Sequence, residues 1–407
     1  MTRILALWLA VILLAGCASH QEEEIVEEPE ECYLTIYVYT PSAPIVTRAD
    51  VGYQTAISPE ETAVNKLQLW VYKHDSGERV GYLEEDSVTF TGESSVFRVL
   101  VSPEFADSPV NVDVYAVANV VESNTGLTFT RQTTRTELET ALLEGRFFGT
   151  SAGNLVQTVP AAGLPMSGLL KNKAIEGSFP ALRIVNEGSM ATVSLVRMVS
   201  KLRFLLCRAN DPNDKNKQLS AITSIKLNGT QIAQREYVML TEPHDKSINP
   251  ANPLADNRMH LISGDYAPDA ADFGSLQAAD IPLSADPAWW LYNESRYGTA
   301  AQYATLLENA LAAEPQELKE FGLTYLRETD RKLQGTITYR VVSDDEASAP
   351  DRTAVFEMER AGDFTRNHSW TILVLFEGGR IRTVNIVDIG VRNWQTIDEE
   401  KHEFYNW

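Results

Sequence analysis

The chain has 407 residues, of which 44% are hydrophobic and 22% are charged, and its formal net charge at pH 7 is −21. A protein this acidic argues against nucleic acid or an anionic lipid surface as its partner. The length suggests two domains of ordinary size, and the 3 cysteines are too few for a disulfide scaffold. Whether Cys32 and Cys207 pair with each other stays open at this level.

The first residues have the order of a bacterial secretion signal. Arg3 supplies a positive start, and the apolar run Ile4–Ala15 is shorter than the roughly 20 residues that a membrane-spanning helix needs. The run leads into Leu-Ala-Gly-Cys, which resembles a lipobox, so Cys17 is expected to be acylated, with palmitate among its chains, and to begin the mature lipoprotein. Such an anchor would hold the protein on the outer membrane. The alternative is an ordinary signal peptide in which Cys17 is incidental.

Residues 18–48 combine an acidic stretch with a strand. The stretch contains Glu22, Glu23, Glu24, Glu27, Glu28, Glu30 and Glu31. Like charges keep such a segment extended and solvated, so we interpret it as a tether. It also resembles the surface-export signal of some Gram-negative lipoproteins. The residues Leu34, Ile36 and Val38 then predict a strand with one apolar face. Arg48 and Ala49 follow in a predicted exposed linker, where an Arg-specific protease would cut easily.

Strand signals dominate the rest of the chain. Alternating residues rich in β-branched and aromatic side chains predict half-buried strands at 67–71, 110–117, 193–196, 201–204, 335–339, 355–358 and 370–374. Short strands separated by turns favour antiparallel sandwiches. Two short helices are predicted, Thr134–Leu143, where Thr134 and Glu137 have capping-box spacing, and Ala300–Ala313. The sequence therefore predicts an all-β fold, with an N-terminal domain at 49–188 and a C-terminal domain at 189–407.

The sequence gives little support for catalysis or for metal or cofactor binding. Gly149–Gly153 matches the Gly-x-Ser-x-Gly pattern, but no helix pattern follows it, so we interpret it as a loop. The histidines are widely separated and there is no Cys-x-x-Cys pair. Asp211–Asn216 resembles a calcium loop, but Lys215 takes a position that needs an oxygen ligand, so a polar turn is favoured. We expect no enzymatic activity, no metal and no cofactor.

Several short motifs occur in order along the chain, namely the lipobox, the junction Val46–Ala49, the short helix after the first strands, Leu164–Gly168, Val193–Lys201, Trp290–Glu294, Arg366–Trp370, and the tryptophans Trp394 and Trp407. Taken together, these motifs resemble the fimbrillin family, the major-subunit type of the type V pilus. They are spread over nearly the whole chain. Two departures are Ser200, where alanine is commoner, and Asn293-Glu294, where the reverse order is usual.

The resemblance implies two transthyretin-like β-sandwich domains and a lipidated precursor that is carried to the cell surface. An Arg-specific protease removes the N-terminal segment in this family, and a strand of a neighbouring pilus subunit takes its place. Loss of the strand before Arg48 would leave an apolar groove and unpaired backbone groups, which a donated strand repairs. We expect the donor in the C-terminal segment, so the contact would be head-to-tail and would form a filament. Its candidate anchors are Val391, Trp394, Ile397, Phe404 and Trp407.

Two other functions remain open. The chain could be an accessory tip or anchor subunit of a pilus, and an anchor would keep both its lipid and its first strand. It could instead be a surface glycan-binding lipoprotein independent of pili, with Trp289, Trp290 or Tyr292 stacking on sugar rings. A host protein or a glycan is the candidate ligand at the cell surface.

Overall fold

The computed structural model describes residues 31–39, 59–90, 94–106, 110–144, 158–186, 188–209, 211–228, 232–239, 264–266, 271–283, 319–344, 349–357, 364, 366–367 and 369–388. In these ranges the protein is mainly β-strand, and the predicted all-β class is confirmed. None of the described helices is long and apolar enough to cross a membrane. The α-helices are short, namely α1 (Pro59–Thr62), α2 (Glu122–Thr125) and α3 (Arg135–Thr140).

The N-terminal half of the chain builds one large sheet. Its strand order is β10-β1-β8-β7-β5-β2-β3, with β4 beside β1, β9 beside β8 and β11 beside β7. A separate pair is formed by Leu142–Leu143 and Glu236–Tyr237. The strands up to residue 197 are β1 (Cys32–Tyr39), β2 (Val64–Lys73), β3 (Arg79–Val88), β4 (Ser94–Val101), β5 (Asn111–Ala118), β6 (Leu142–Leu143), β7 (Met166–Ser178), β8 (Ala181–Asn186), β9 (Ser189–Met190), β10 (Thr192–Ser194) and β11 (Val196–Arg197).

The C-terminal half forms two further sheets. One has the order β17-β12-β20-β21, and the other has the order β15-β13-β18-β19, with β16 also paired to β13. Apolar side chains of both sheets meet in one core, in which Phe204 contacts Phe273 and Phe356 with ring centroids 4.9 and 5.5 Å apart. The strands are β12 (Ser200–Ala209), β13 (Leu219–Leu227), β14 (Glu236–Tyr237), β15 (Ala271–Asp272), β16 (Leu276–Gln277), β17 (Lys319–Leu326), β18 (Gln334–Val341), β19 (Arg352–Glu357), β20 (Ser369–Glu377) and β21 (Arg380–Asp388).

Strand β2 is buried on both faces, whereas its alternation predicts a half-buried strand. One face packs into the core that also contains β1, and the other packs under residues 120–143 together with Val238 and Met239. The polar and aromatic side chains on this second face are buried because they bond the covering backbone. Gln68, Trp70 and Tyr72 donate to the carbonyl oxygens of Phe129, Thr130 and Thr133 at 2.9, 3.0 and 2.6 Å.

Helix α3 begins where the sequence predicts and ends earlier. The Thr134 hydroxyl accepts from the Glu137 N–H at 3.2 Å, and the Glu137 carboxylate accepts from the Thr134 N–H at 2.7 Å, so the capping box is confirmed. The helix ends at Thr140 because Leu142–Leu143 pair as β6 with β14. The second predicted helix, Ala300–Ala313, lies outside the described residues.

The large sheet continues past the predicted boundary at residue 188. Strands β9, β10 and β11 pair with β8, β1 and β7, and the next sheet begins with β12 at Ser200. Strand pairing therefore assigns residues 189–197 to the first sheet. The division into two domains stays a prediction.

Candidate strand-exchange site

The strand that the sequence predicts to be removable, β1, lies inside the large sheet. On one side it pairs antiparallel with all 8 residues of β4, ending with Tyr39 opposite Ser94. On the other side it runs parallel to β8 through residues 33–35 and parallel to β10 through residues 37–39. Among the described strands β4 pairs with β1 alone. Strand β1 therefore joins β4 to the rest of the sheet.

The inward side chains of β1 are completely buried. Leu34, Ile36 and Val38 are each 0% exposed and Cys32 is 1% exposed, and all four pack in one core with side chains of β2, β5, β7 and β8. The outward residues of the strand are only half-buried. Burial of a large apolar side chain contributes about 1.5–3 kcal/mol. Strand β1 is thus a structural part of the core that it occupies.

The glycine of the motif Leu164–Gly168 makes room for β10, the strand beside the end of β1. A Cβ atom at Gly168 would lie 2.6 Å from the Ser194 carbonyl oxygen and 2.8 Å from the Val193 side chain. Real Cβ atoms do not approach other atoms this closely, so glycine is required at this position because there is no space for a side chain. The close crossing of β7 and β10 fixes the position that the C-terminal end of β1 occupies in the sheet.

The chain is fixed in place at Glu61, shortly after the predicted cleavage point. Glu61 is 1% exposed. Its carboxylate accepts from the Tyr325 hydroxyl and lies 2.8 Å from Lys201 Nζ, and its carbonyl oxygen accepts from Arg197 Nε at 3.0 Å. Burial lowers the pKa of Arg197 to about 10 and also lowers the pKa of Lys201. Glu61 therefore ties α1 to the end of the first sheet and to the start of the next.

Two of the motifs behind the family resemblance contact each other at this junction. The Asn367 N–H donates to the Val199 carbonyl oxygen at 2.7 Å, and Asn367 Oδ1 accepts from Arg197 N and Nη1 at 3.4 Å. Asn367 has a φ of 65°, a left-handed conformation that asparagine adopts more readily than most residues. The motifs Val193–Lys201 and Arg366–Trp370 therefore hold the two halves of the protein together.

A second buried group of charges lies at the same junction, around Glu236 of β14. Arg366 Nη2 lies 3.5 Å from the Glu236 carboxylate and 3.8 Å from that of Glu328, and it donates to the Tyr237 carbonyl oxygen at 2.9 Å. Burial raises the pKa of Glu236 to about 7, with Glu328 adding to the rise and Arg366 and Arg327 opposing it. This carboxyl group therefore changes charge near neutral pH.

Stability should fall as the pH rises from about 5 to 8, because the protonated Glu236 carboxyl group stabilises the folded state and loses its proton over this range. The folded-state pKa lies above the ordinary value of 4.5, so this stabilisation is fully present below that value and is lost as the pH rises through 7. Urea unfolding across this range should show the slope in the wild type and a flatter curve for Glu236→Gln. The exposed control Glu85→Gln should keep the slope, and parallel curves for all three would contradict the prediction.

The structure describes three of the residues that the sequence singles out as site residues, Leu34, Ile36 and Val38, which share one buried face of β1. That the strand is removable stays a prediction. Cys32 and Cys207 are both buried and are not paired with each other, and in the described ranges no three His, Cys, Asp or Glu side chains are grouped to hold a metal ion. Other predicted positions lie outside the described residues, namely Cys17, Arg48, Ala49, Gly149–Gly153, Trp289, Trp290, Tyr292, Val391, Trp394, Ile397, Phe404 and Trp407.

Sequence reasoning missed the buried charges of β12. Its alternation predicts a half-buried strand, but both faces are buried. Lys201 pairs with Glu61, and Arg203 Nη1 lies 3.2 Å from the Glu320 carboxylate. The available signal was the presence of two cations within a strongly apolar run, since a buried cation needs a partner carboxylate from elsewhere.

The groove filled by β1 sets a requirement on any replacement strand. It takes an apolar side chain at every second position, because successive side chains of a strand point to opposite faces. The five predicted donor anchors divide by this rule, with Trp394 and Phe404 facing away from the other three in a straight strand. By contrast, Val387, Ile389 and Val391 alternate in the sequence as Leu34, Ile36 and Val38 do.

Comparison with known proteins gives a likeness in fold only. No protein-family model and no curated protein matches the sequence. Solved structures of fimbrial and adhesion proteins do match. They include a candidate cell adhesion protein from Parabacteroides distasonis (11% identity, 89% of this chain and 98% of the other, TM-score 0.48). Two others are the tip fimbrial protein Mfa3 (12%, 88% and 99%, 0.46) and a fimbrilin, FimA (11%, 87% and 92%, 0.44), both from Porphyromonas gingivalis. At such low identities and TM-scores, the function has to be inferred from the residues of the chain itself.

Proposed function

We propose that this protein is a structural subunit of a cell-surface pilus that polymerises by strand exchange and serves adhesion. It is exported as a lipoprotein acylated at Cys17 and held at the outer membrane, and an Arg-specific protease then cuts it after Arg48. Strand β1 leaves, and a strand from another pilus subunit takes its place. The observation that carries the proposal is the position of β1, an interior strand with a fully buried face that precedes Arg48.

The energetics of β1 support this reading. Loss of the burial of Leu34, Ile36 and Val38 would cost about 5–9 kcal/mol, which is comparable to the whole stability of a typical domain, about 5–15 kcal/mol. Strand β4 would also lose its described backbone pairing. A chain without β1 would therefore be strongly stabilised by another strand that binds in the same groove.

A terminating subunit, such as an anchor, is the second candidate. With β1 in place the groove is filled by the chain's own residues, so an uncleaved copy has no seat to offer to a donor strand. Such a copy would end a filament. The N-terminal residue of the protein taken from cells separates the two roles, because Ala49 indicates a polymerising subunit and an acylated Cys17 indicates an anchor.

The decisive test is cleavage at Arg48. Exposure of the purified precursor to an Arg-specific protease should yield polymers visible by electron microscopy and a new N-terminus at Ala49. Arg48→Ala should remain uncleaved and monomeric. Arg48→Lys is the matched control, because it keeps the charge, resists the Arg-specific enzyme and should polymerise once a Lys-specific protease cuts at the same position.

Two results would count against the proposal. One is polymer formation by intact Arg48→Ala, which would make cleavage irrelevant. The other is a cleaved wild-type protein that stays a stable monomer after β1 has been removed, since its core would then not need a replacement strand.

A further inference from the structure

The outer face of β1 places one residue between two arginines. Thr35 lies directly opposite Arg98 of β4 on one side and Arg183 of β8 on the other. Neighbouring strands are about 4.8 Å apart, and directly opposite side chains are within contact reach of each other. The outward residue at the centre of β1 therefore has an arginine as its direct cross-strand neighbour on each side.

In the part of the chain that the structure describes, one of the two arginines has a carboxylate within ion-pair distance. No carboxylate there lies within ion-pair distance of Arg98, and the one near Arg183 is Glu176 at 3.8 Å, with both of those side chains about half exposed. This is unusual for a protein with a net charge of −21. Thr35 is neutral, so β1 does not use the two positive charges.

The rows on either side of this pair are apolar or aromatic. Tyr33 lies opposite Leu100, and Tyr37 lies opposite Val96. Leu100 and Val96 are 52% and 53% exposed, although both are aliphatic. On the outer face, the strand at the position of β1 therefore has apolar neighbours at two of its outward residues. The outward residue between those two has an arginine on each side.

We propose that Arg98 and Arg183 select the incoming strand, favouring one from a second copy that places a carboxylate where β1 has Thr35. The inference rests on the proposed strand exchange. Cross-strand pairs of opposite charge stabilise a sheet and like charges destabilise it, so an acidic strand gains two contacts that β1 lacks. Replacement of β1 by that strand is then favourable at the position of Thr35. Within the alternating run Val387–Val391, Asp388 has the required position. Val387 and Asp388 pair with β20 at the end of β21, so a donor that uses them leaves that pairing.

The test compares three peptides based on residues 31–39 for binding to protein cleaved after Arg48. They carry the natural Thr35, Thr35→Asp or Thr35→Lys, and displacement of a fluorescent copy of the natural peptide reports affinity. We expect Thr35→Asp to bind about fivefold more tightly and Thr35→Lys about fivefold more weakly than the natural peptide. In protein carrying Arg98→Gln and Arg183→Gln, the three peptides should bind with equal affinity. In the wild type, high salt should reduce the differences in affinity among the peptides.

Each outcome has a separate meaning. Equal binding of all three peptides to wild-type protein would overturn charge selection and leave strand exchange intact. Failure of every peptide to bind would instead count against the proposed function. The uncleaved chain gives a second measurement, since Thr35→Asp should raise the unfolding midpoint relative to Thr35→Lys, and Arg98→Gln with Arg183→Gln should remove that difference. An unchanged difference would also overturn the inference.

Discussion

Replacing Ile36 by alanine is expected to lower the free energy of unfolding of the uncleaved chain by about 2–5 kcal/mol. Ile36 is 0% exposed at the centre of the inward face of β1, so its truncation removes buried methyl groups and leaves a cavity. Urea unfolding measures the loss. Tyr37→Phe on the half-buried outer face is the matched control and should cost far less.

The same variant also distinguishes a removable strand from a permanent one. After cleavage at Arg48 and loss of β1, wild-type and Ile36→Ala protein should have the same stability, because residue 36 is no longer present. A difference that survives cleavage would mean that β1 stays in its seat. Equal losses for Ile36→Ala and Tyr37→Phe in the uncleaved chain would contradict the burial argument.

Replacing Glu61 by glutamine is expected to cost about 3–5 kcal/mol, because it removes the carboxylate charge beside buried cations. Lys201 Nζ lies 2.8 Å from this carboxylate, and the Lys201 side chain is 5% exposed. Glutamine keeps the size of the side chain, so the effect isolates the charge. The measurement is urea unfolding at neutral pH, with the neighbouring exposed residue changed in Glu60→Gln as the control.

The prediction for Glu61 has a clear counter-result. A loss below about 1 kcal/mol, similar to that of a surface ion pair, would show that the buried group contributes little. A second measurement is limited proteolysis of the cleaved chain, in which Glu61→Gln should make the segment around α1 accessible to digestion. Resistance equal to the wild type would place the fixed point of the chain elsewhere.

The alternation of apolar residues predicted β1, β12, β18 and β20 because a half-buried strand leaves a local signature. It did not predict that the second faces of β2 and β12 are covered. That burial depends on contacts distant in sequence, such as Trp70 with the Thr130 carbonyl oxygen and Lys201 with Glu61. No pattern within one strand carries such information.

The sequence likewise predicts one part of the candidate site and not the other. The apolar face Leu34, Ile36 and Val38 is visible in the sequence, whereas the arrangement of Arg98 and Arg183 on both sides of Thr35 depends on strand order and register. The end of helix α3 follows the same rule, because a pairing with β14 overrides local helix preference. Long-range pairing therefore accounts for the features that the sequence left open.

The parallel partners of β1 are separated from it by about 150 residues of chain, since Tyr33 lies beside Ala181 and Tyr37 beside Thr192. Contacts of such long sequence separation form slowly. A chain synthesised from its N-terminus therefore contains β1 long before these partner strands have been made. Strand β1 should dock late in folding, and until it does the nascent protein is vulnerable to premature association with its neighbours.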